Sequence, residues 1–374
     1  MFSDSTAFTG VSRLLVGSLF AGWPAVAAAG DPFLPIMSIS STSSPAGWRQ
    51  LPPYPGDIGV AGILAGRHDG VLIAAGGTNF PERPPWEGGK KRTYADVHVY
   101  QPSEHAWRAA GDLPEPRGYA AVVSVPAGVL VIGGENADKV FADSFWMQWD
   151  GRRVVTTTAP SLPSATTSPV AAVLGEHVYV ASGYAAGAPR LSQAGFWRLD
   201  WRDPAAGWTE LPAWPGPSRG QAVMAALGDS VYLFSGISIV AGHDAKPQVT
   251  YLSDAYRYHP AEGWTKLPDL PRSAIAAPSP SPVSTALGRI YVLGGVDGRL
   301  VGKQPRDTRV PDDIIYYDVA TGAWQTLPGR WPDPVVTSPA VPWADEWIIV
   351  SGEIMSAVRT PHVWSWNPAA EVAR

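Results

Sequence analysis

The chain has 374 residues and no cysteine. Without a thiol, the protein forms no disulfide, no thiolate metal site and no cysteine nucleophile. The absence also excludes copper radical oxidases, which need a Cys–Tyr crosslink. Charged residues make up only 16% of the chain, and the formal net charge is −5. No cluster of Lys and Arg marks a basic domain, so the composition does not indicate a nucleic-acid partner.

Histidine is also scarce, with 7 residues scattered along the chain. His98 and His105 bracket a predicted strand, but no further ligand residues cluster with them. Zinc and copper sites in proteins need several such ligands held together. We therefore expect these histidines to be structural or solvent-facing, and the sequence predicts no metal site.

The one long hydrophobic run is at the N-terminus, in "SRLLVGSLFAGWPAVAAAGDPF". Arg13 precedes an apolar run from Leu14 that ends in the small residues Ala25 to Gly30. The run is shorter than the ~20 residues of a spanning helix, and Pro24 interrupts it. This pattern is typical of a secretory signal peptide over residues 1–30, the alternatives being a misassigned start or a short membrane anchor. We expect a periplasmic or secreted protein whose mature form has no membrane segment.

Glycine, proline and tryptophan are abundant, at 39, 38 and 17 residues, and 45% of the chain is apolar. This apolar fraction is enough for a sizeable core. Apolar, strand-like runs that end in glycine recur about every 50 to 60 residues, as expected of a repeat architecture. They are "VLIAAGG" (71–77), "VLVIGG" (129–134), "VYVASG" (178–183), "VYLFSG" (231–236), "IYVLGG" (290–295) and "WIIVSG" (347–352).

A second recurring element, with a tryptophan ahead of a Leu-Pro pair, lies between these runs. It is present in "HAWRAAGDLPEPR" (105–117), "GWTELPAWPGPSR" (207–219), "GWTKLPDLPR" (263–272) and "AWQTLPGRWP" (323–332). Strand-like runs such as "DVHVY" and "DIIYYD" precede these tryptophans, and the second unit diverges. A repeat of about 50 residues with Gly-Gly, a later Trp and four strands is typical of the kelch β-propeller. In that fold the Trp ring packs between sheets, and its N–H can bond to a backbone carbonyl.

The number of glycine-ended runs predicts six blades, because a seventh blade would need another such run. The last run has no Trp-x-x-Leu-Pro strand after it, whereas "AGWRQLPPYPG" (46–56) precedes the first run. We expect Trp48 to Pro52 to form the outer strand of the last blade, which closes the ring and removes an open sheet edge. The predicted fold is therefore all-β, a single six-bladed propeller over residues 31–374.

Each predicted blade has antiparallel strands a to d, counted from the axis outward. The b–c links within blades and the d–a links between blades then lie on one face, called the mouth below. The glycine-ended runs are b strands, and the Leu-Pro pairs end d strands. The candidate site residues predicted at the mouth are Asn79, Glu135, Glu353, Arg359, Arg117, Arg219 and Arg272.

Each of these residues also has a structural alternative. The arginines can tie adjacent blades together, and a glutamate after Gly-Gly can accept hydrogen bonds from backbone N–H groups. Glu353 and Arg359 are six residues apart in "VSGEIMSAVRTPH" (350–362). A loop that short at an axial mouth directs side chains inward, where a cleft concentrates charge effects. We interpret this pair as functional, which requires the Glu353 carboxylate to face the axial opening.

From about residue 46 onward, the chain resembles the bacterial N-acetylneuraminate epimerases (sialic acid mutarotases), in permuted order. Residues 88–144, which begin "GGKKRTYADVHVY", resemble the C-terminal blades of that family, and residues 207–237 resemble its first blades. The lead-in "GGTNFPERPPWEGGKK" (76–91) is similar to a stretch of the cyclically permuted mutarotase group. Moving the termini of a closed ring leaves its sites in place.

The resemblance implies a catalytic pair and a reaction. The family pattern Gly-Glu…Arg-Thr is matched here by Gly352-Glu353 and Arg359-Thr360. Glu353 would act as base or proton shuttle while the ring of a 2-keto sugar acid opens and closes. Arg359 is permanently charged, so it would hold the substrate carboxylate, stabilise developing charge or tune Glu353.

The resemblance also implies binding groups around the pair. Arg117 and Arg219 would form bidentate pairs with the carboxylate or bond the glycerol side chain of the sugar acid. Substrate-binding roles are also expected for Arg272, Glu135 and Asn79. No metal or redox cofactor is required, and the implied partner is a small-molecule sugar acid.

Two features leave the exact function open. The family's long insertion before the strand at 313–318 is short here, "GRLVGKQPRDTRVPDD" (298–313), which puts the identity of the sugar in question. Trp86 and Lys90 either line the mouth or lie on its surface without a role in the site.

The main alternative is a non-catalytic kelch propeller that binds a glycan or a protein partner. A sialidase is disfavoured, because the sequence has no Ser-x-Asp-x-Gly-x-x-Trp box.

Overall fold

A computed structural model describes residues 47–242, 246–301 and 309–371. The predicted signal peptide, residues 1–30, lies outside the described residues, as does part of the 298–313 segment. Within the described ranges, no helix is long and apolar enough to cross a membrane. In the same ranges, no group of three or more His, Asp or Glu side chains is placed to hold a metal ion.

Six four-stranded antiparallel sheets form the blades and confirm the predicted six-bladed propeller. From the axis outward, blade 1 contains Leu64–His68, Val71–Ala75, Asp96–Gln101 and Ala106–Asp112, and blade 2 contains Ala121–Val125, Gly128–Ile132, Ser144–Trp149 and Val154–Ala159. Blade 3 contains Val170–Leu174, His177–Ala181, Phe196–Asp200 and Thr209–Glu210, and blade 4 contains Val223–Leu227, Ser230–Ala241, Pro247–His259 and Gly263–Leu267. Blade 5 contains Val283–Ser284, Arg289–Leu293, Asp313–Asp318 and Ala323–Arg330. Blade 6 contains Ala340–Trp343, Glu346–Met355 and Val358–Trp366, with Trp48–Leu51 outermost.

The remaining regular elements are short. Strands Thr78–Asn79 and Arg92–Thr93 pair with each other in the b–c link of blade 1. Single turns of 3₁₀ helix lie at Pro85–Glu87, Pro204–Ala206, Gly298–Leu300 and Pro368–Glu371.

The core lies between the blades. The b strands Val71–Ala75 and Gly128–Ile132 are buried at every position, because neighbouring sheets cover both of their faces. Six apolar clusters, one between each pair of adjacent blades, complete the ring.

The tryptophans of the Leu-Pro element bind neighbouring blades in the way the sequence predicts. In four blades the indole N–H donates to the carbonyl of a proline in the preceding blade, at 2.8 to 2.9 Å. The pairs are Trp107 with Pro52, Trp208 with Pro160, Trp264 with Pro212, and Trp324 with Pro268. Each ring therefore buries apolar area and satisfies one carbonyl at the same time.

The N-terminal strand closes the ring, as predicted. Trp48–Leu51 pairs antiparallel with the c strand of blade 6, with Trp48 opposite Trp366. The Trp48 ring is 4% exposed and stacks on Trp331 and Trp366, with ring centroids 5.5 Å apart in both cases. The carbonyl of the following Pro52 then accepts the bond from blade 1, so the strand joins the last blade to the first.

The b–c and d–a links meet on one face, which confirms the predicted mouth. In each blade the residue after the last glycine of the glycine-ended run forms a backbone bridge to the d–a link. The next residue of each d–a link has a left-handed backbone, with φ between 52° and 64°, and donates its N–H to the equivalent carbonyl of the preceding blade at 2.8 to 3.3 Å. These residues are Gly62, Tyr119, Ser168, Gln221, Ala276 and Thr337, and they form a closed circle of backbone hydrogen bonds, called the axial ring below.

Candidate functional site

The positions just outside the axial ring divide the mouth into a polar and an apolar part. In blades 6, 1, 2 and 3 they are Glu353, Thr78, Glu135 and Tyr184, and in blades 4 and 5 they are Ile237 and Val296. The two aliphatic residues belong to a buried apolar cluster on their side of the mouth. Ionisable chemistry at these equivalent positions is therefore confined to the side formed by blades 6, 1, 2 and 3.

Glu353 and Arg359 are opposite each other in a hairpin and not on an open loop. Strands b and c of blade 6 continue beyond Gly352, and two irregularities in register leave Glu353 directly across from Arg359. Gly352 has a φ of 130°, and a Cβ there would lie 2.7 Å from Cβ of Val335, so only glycine fits before the glutamate. The hairpin explains why residues six apart in sequence are neighbours in space.

The pair is buried instead of exposed at the axial opening as expected, and it is not an ordinary surface ion pair. Glu353 is 3% exposed and Arg359 is 8% exposed. One carboxylate oxygen of Glu353 accepts a hydrogen bond from the backbone N–H of Ala357 at 3.1 Å, and the other lies 3.2 Å from Nη2 of Arg359. The ring of Phe80, from the b–c link of blade 1, lies 4.9 Å from the guanidinium carbon.

The guanidinium of Arg359 has unused hydrogen-bonding capacity. Its Nε, Nη1 and Nη2 atoms make no hydrogen bond to any described residue, although Nη2 lies within ion-pair distance of Glu353. A buried donor without an acceptor costs about 1–3 kcal/mol, and more when it is charged. The arrangement thus offers donors to an oxyanion beside a carboxylate, and the catalytic role of the pair stays a prediction.

Arg219 makes the contacts of the blade-tying alternative. Its side chain is fully buried and bonds both carboxylate oxygens of Asp254 at 2.7 Å and the carbonyl of Ser235 at 2.9 Å. Its own carbonyl accepts a hydrogen bond from the N–H of Gly183 in blade 3. The residue therefore links blades 3 and 4.

Arg117 repeats both kinds of contact, and Arg272 repeats those of the side chain. Arg117 bonds Asp143 at 2.9 Å, and its carbonyl accepts from Gly77 of blade 1. Arg272 pairs with Asp313 and donates to the carbonyl of a strand-b glycine at 2.8 Å. Because these side chains are occupied within the protein, their structural role is visible, and a role in substrate binding stays a prediction.

Asn79 is also engaged within blade 1. Its amide donates to the carbonyl of Gly59 at 2.9 Å and accepts from the hydroxyl of Tyr94 at 2.7 Å. The preceding residue, Thr78, occupies the equivalent mouth position, and its hydroxyl lies 3.1 Å from that of Tyr119 in the axial ring. Asn79 therefore lies one residue beyond the position that aligns with Glu353, and its predicted role in substrate binding stays a prediction.

Glu135 is the centre of a charged cluster that the sequence did not predict. One of its carboxylate oxygens lies 3.2 Å from Nζ of Lys91, and the other contacts the guanidinium of Arg190. Of the two residues singled out in the "WEGGKK" stretch, Lys90 is exposed and Trp86 is 44% exposed. The adjacent Lys91 reaches the cluster instead.

A small cavity lies on the axis. Its volume is about 70 Å³, and its polar lining includes Ser168, Gln221, Ser279, Thr337 and Ser338. Such a volume holds a few water molecules, whereas ligand pockets measure about 300–1,000 Å³. The axial cavity is therefore too small for a ligand of sugar size.

Comparisons with known proteins identify a family. A family profile described as N-acetylneuraminate epimerase matches residues 45–156 and 159–303. These stretches include the cluster around Glu135 and end before the Glu353–Arg359 hairpin.

Individual relatives carry the same description. Proteins named N-acetylneuraminate epimerase are 28% identical over 231 residues in Haemophilus influenzae (strain 86-028NP), and 29% identical over 232 residues in Brucella melitensis biotype 1. Both alignments cover 54% of this chain and 57% of the relative, so the chain spans little more than half the length of these relatives. A third, from Vibrio cholerae serotype O1, is 31% identical over 121 residues, which is 29% of this chain and 32% of that protein.

Proposed function

The chain belongs to the N-acetylneuraminate epimerase family, and from this premise we propose that it interconverts the anomers of N-acetylneuraminate or a related sugar acid. The protein would then be an isomerase acting on a small-molecule sugar acid. The observation that carries the proposal is the buried Glu353–Arg359 pair, in which the guanidinium has donors that no described residue uses.

The reaction needs a proton to leave one oxygen and another to arrive at a second. A base removes the proton of the anomeric hydroxyl, the bond between the anomeric carbon and the ring oxygen breaks, and the ring oxygen is protonated to give the open-chain ketone. Rotation about the adjacent carbon–carbon bond and reversal of these steps then gives the other anomer. No atom is gained or lost, so a single carboxylate that accepts and returns a proton is sufficient.

We assign the base or shuttle role to Glu353. Its oxygen on the Arg359 side is 3.2 Å from Nη2, so positive charge is fixed beside the group that exchanges the proton. Arg359 is permanently charged and is a poor general acid. It would instead stabilise negative charge on the reacting oxygen, an effect that is strongest where water is excluded.

The burial of this pair favours one alternative function. Since Glu353 and Arg359 are 3% and 8% exposed, they can also be read as a structural pair in a non-catalytic propeller that binds a glycan or a protein. The catalytic hypothesis requires that a substrate reach the pair, and the Phe80 ring lies 4.9 Å from the guanidinium carbon of Arg359.

Proton NMR on freshly dissolved pure α-anomer of N-acetylneuraminate distinguishes the two functions. The enzyme reading predicts that a catalytic amount of the protein accelerates the appearance of the β-anomer, and that Glu353→Gln removes the acceleration. If the wild-type protein leaves the rate of spontaneous mutarotation unchanged but binds the sugar, the hypothesis of a non-catalytic binding propeller is correct.

A further inference from the structure

A charged cluster at the mouth has a surplus of positive charge. Lys91, Glu135 and Arg190 come from the b–c links of blades 1, 2 and 3, and their side chains are 12%, 3% and 20% exposed. Among residues 47–242, 246–301 and 309–371, Glu135 is the one acidic group within ion-pair distance of either cation. Two cations thus share one carboxylate.

This surplus contrasts with the hairpin of blade 6. There, one glutamate faces one arginine, and the two formal charges cancel. A cation that is largely removed from water without a full counter-charge is unfavourable, and it attracts anions to a cleft with low-dielectric walls. Compared with the Glu353–Arg359 pair, the cluster around Glu135 is therefore better suited to bind a negative group.

The cluster also lies close to the axis. Nζ of Lys91 is 5.2 Å from the centroid of the Tyr119 ring, and Tyr119 belongs to the axial ring and lines the axial cavity. Phe80, which covers Arg359, lies on the same b–c link of blade 1 as Lys91. The b–c link of blade 1 therefore contributes Lys91 to the Glu135 cluster and contacts the Glu353–Arg359 pair through Phe80.

We propose that Lys91 and Arg190 form a carboxylate-binding subsite at the mouth, with Glu135 as the residue that positions them. The ligand class, an acidic sugar, rests on the proposed function, whereas the subsite itself rests on the charges and contacts of the cluster. An incoming carboxylate would share the two cations with Glu135, in the bidentate geometry that guanidinium favours.

The probe is a pair of ligands that differ in one charge, N-acetylneuraminate and its methyl ester. Isothermal titration calorimetry on the full chain should give a Kd at least about tenfold lower for the acid than for the ester, since a charge-assisted hydrogen bond contributes this much. Arg190→Gln and Lys91→Met should each reduce this ratio to about twofold or less and leave the Kd of the ester unchanged. The control is Arg202→Gln, which removes an exposed arginine paired with Glu176 on the opposite face of blade 3 and should preserve the ratio.

Glu135→Gln distinguishes a binding subsite from a structural tie. If the cations bind ligand, removal of their competing carboxylate should raise the preference for the acid by about threefold or more, because the local positive charge increases. If they only hold the loops together, all three cluster variants should weaken acid and ester binding alike. That outcome overturns the proposal, as does a wild-type protein that binds acid and ester equally or binds neither.

These readouts do not depend on turnover. A protein that discriminates acid from ester without accelerating mutarotation would retain the subsite and contradict the proposed function. A protein that accelerates mutarotation, but whose acid preference is insensitive to Arg190→Gln, would retain the function and contradict the subsite.

Discussion

At the scale of single residues, two buried guanidinium groups at the mouth differ in what surrounds them. Arg219 is saturated by Asp254 and by backbone carbonyls. The Arg359 guanidinium makes no hydrogen bond to a described residue and has only the ion-pair contact of Nη2 with Glu353. An arginine whose donors are all bonded within the protein, such as Arg219, stabilises the fold, and its contribution is measured by unfolding. An arginine with unused donors, such as Arg359, is suited to bind a ligand, and its contribution is measured by kinetics.

Arg219→Ala should destabilise the protein strongly. The substitution leaves the Asp254 carboxylate, whose side chain is 14% exposed, without its charged partner, although the Tyr256 hydroxyl still donates to it. Breaking a buried pair from one side costs about 3–5 kcal/mol. Arg202→Ala, in the exposed pair with Glu176, should cost less than about 1 kcal/mol. The comparison is made by urea denaturation, and equal costs for the two variants would contradict the blade-tying role of Arg219.

His362 gives the stability a specific pH dependence. Its Nδ1 lies 2.6 Å from a carboxylate oxygen of Asp333, and this hydrogen bond raises the pKa of His362 above its ordinary value, against the effect of partial burial. A raised pKa in the folded state stabilises the fold fully below the unfolded pKa of about 6.5. The stabilisation is then lost as the pH rises through the folded pKa.

The test is the difference in unfolding free energy between wild type and His362→Gln as a function of pH. We expect a loss of no more than about 1 kcal/mol at pH 5.5, since the ring is 35% exposed and solvent screens the pair. The loss should decrease toward pH 9. Asp333→Asn should abolish this trend, and a loss that grows with pH would show that the sign is wrong.

At the scale of elements, the short outer strand Trp48–Leu51 closes the ring and also contributes a buried aromatic side chain. It occupies the edge of the last sheet, and Trp48 lies between Trp331 and Trp366 in the cluster that joins blades 5 and 6. The indole nitrogen of Trp48 has no hydrogen-bond partner among the described residues, so the contribution of this ring is apolar packing and stacking.

Trp48→Ala should cost about 3–5 kcal/mol, as expected for removing a buried aromatic side chain. The matched control is Arg49→Ala on the same strand, which removes an exposed ion pair with Glu346 and should cost less than about 1 kcal/mol. Urea denaturation gives both losses of unfolding free energy from the transition midpoints, when the variants and wild type share the same dependence on urea concentration. Similar midpoints for the two variants would mean that the strand is not needed to close the ring.

At the scale of the whole molecule, the features encoded in contiguous residues could be predicted from the sequence. The glycine-ended b strands and the tryptophans before Leu-Pro pairs specify the blades, and the unpaired segment at residues 46–56 predicts the closing strand. Antiparallel pairing then assigns the links to one face without knowledge of side-chain contacts.

The details of the mouth could not be predicted in the same way. Left-handed backbone at residues such as Tyr119 and Gln221 follows from closing the axial ring and has no local signature. Lys91 and Arg190 meet Glu135 through links of three different blades, a contact that depends on the assembled ring. One sequence signal does identify a mouth position: the residue after the last glycine of each run is equivalent in every blade, and it selects Thr78 over Asn79.

The proposed function depends on proton exchange between the Glu353 carboxylate and a sugar acid at this mouth. The most direct measurement is two-dimensional exchange NMR on N-acetylneuraminate at anomeric equilibrium, with the wild-type protein, with Glu353→Gln and with Glu346→Gln. Glu346 lies at the opposite end of the same strand and is paired with Arg49. We predict exchange cross-peaks between the anomers for wild type and Glu346→Gln, and their loss for Glu353→Gln, with a rate at least about a hundredfold lower, the usual scale for removing a general base. Equal exchange rates for Glu353→Gln and wild type would contradict the account.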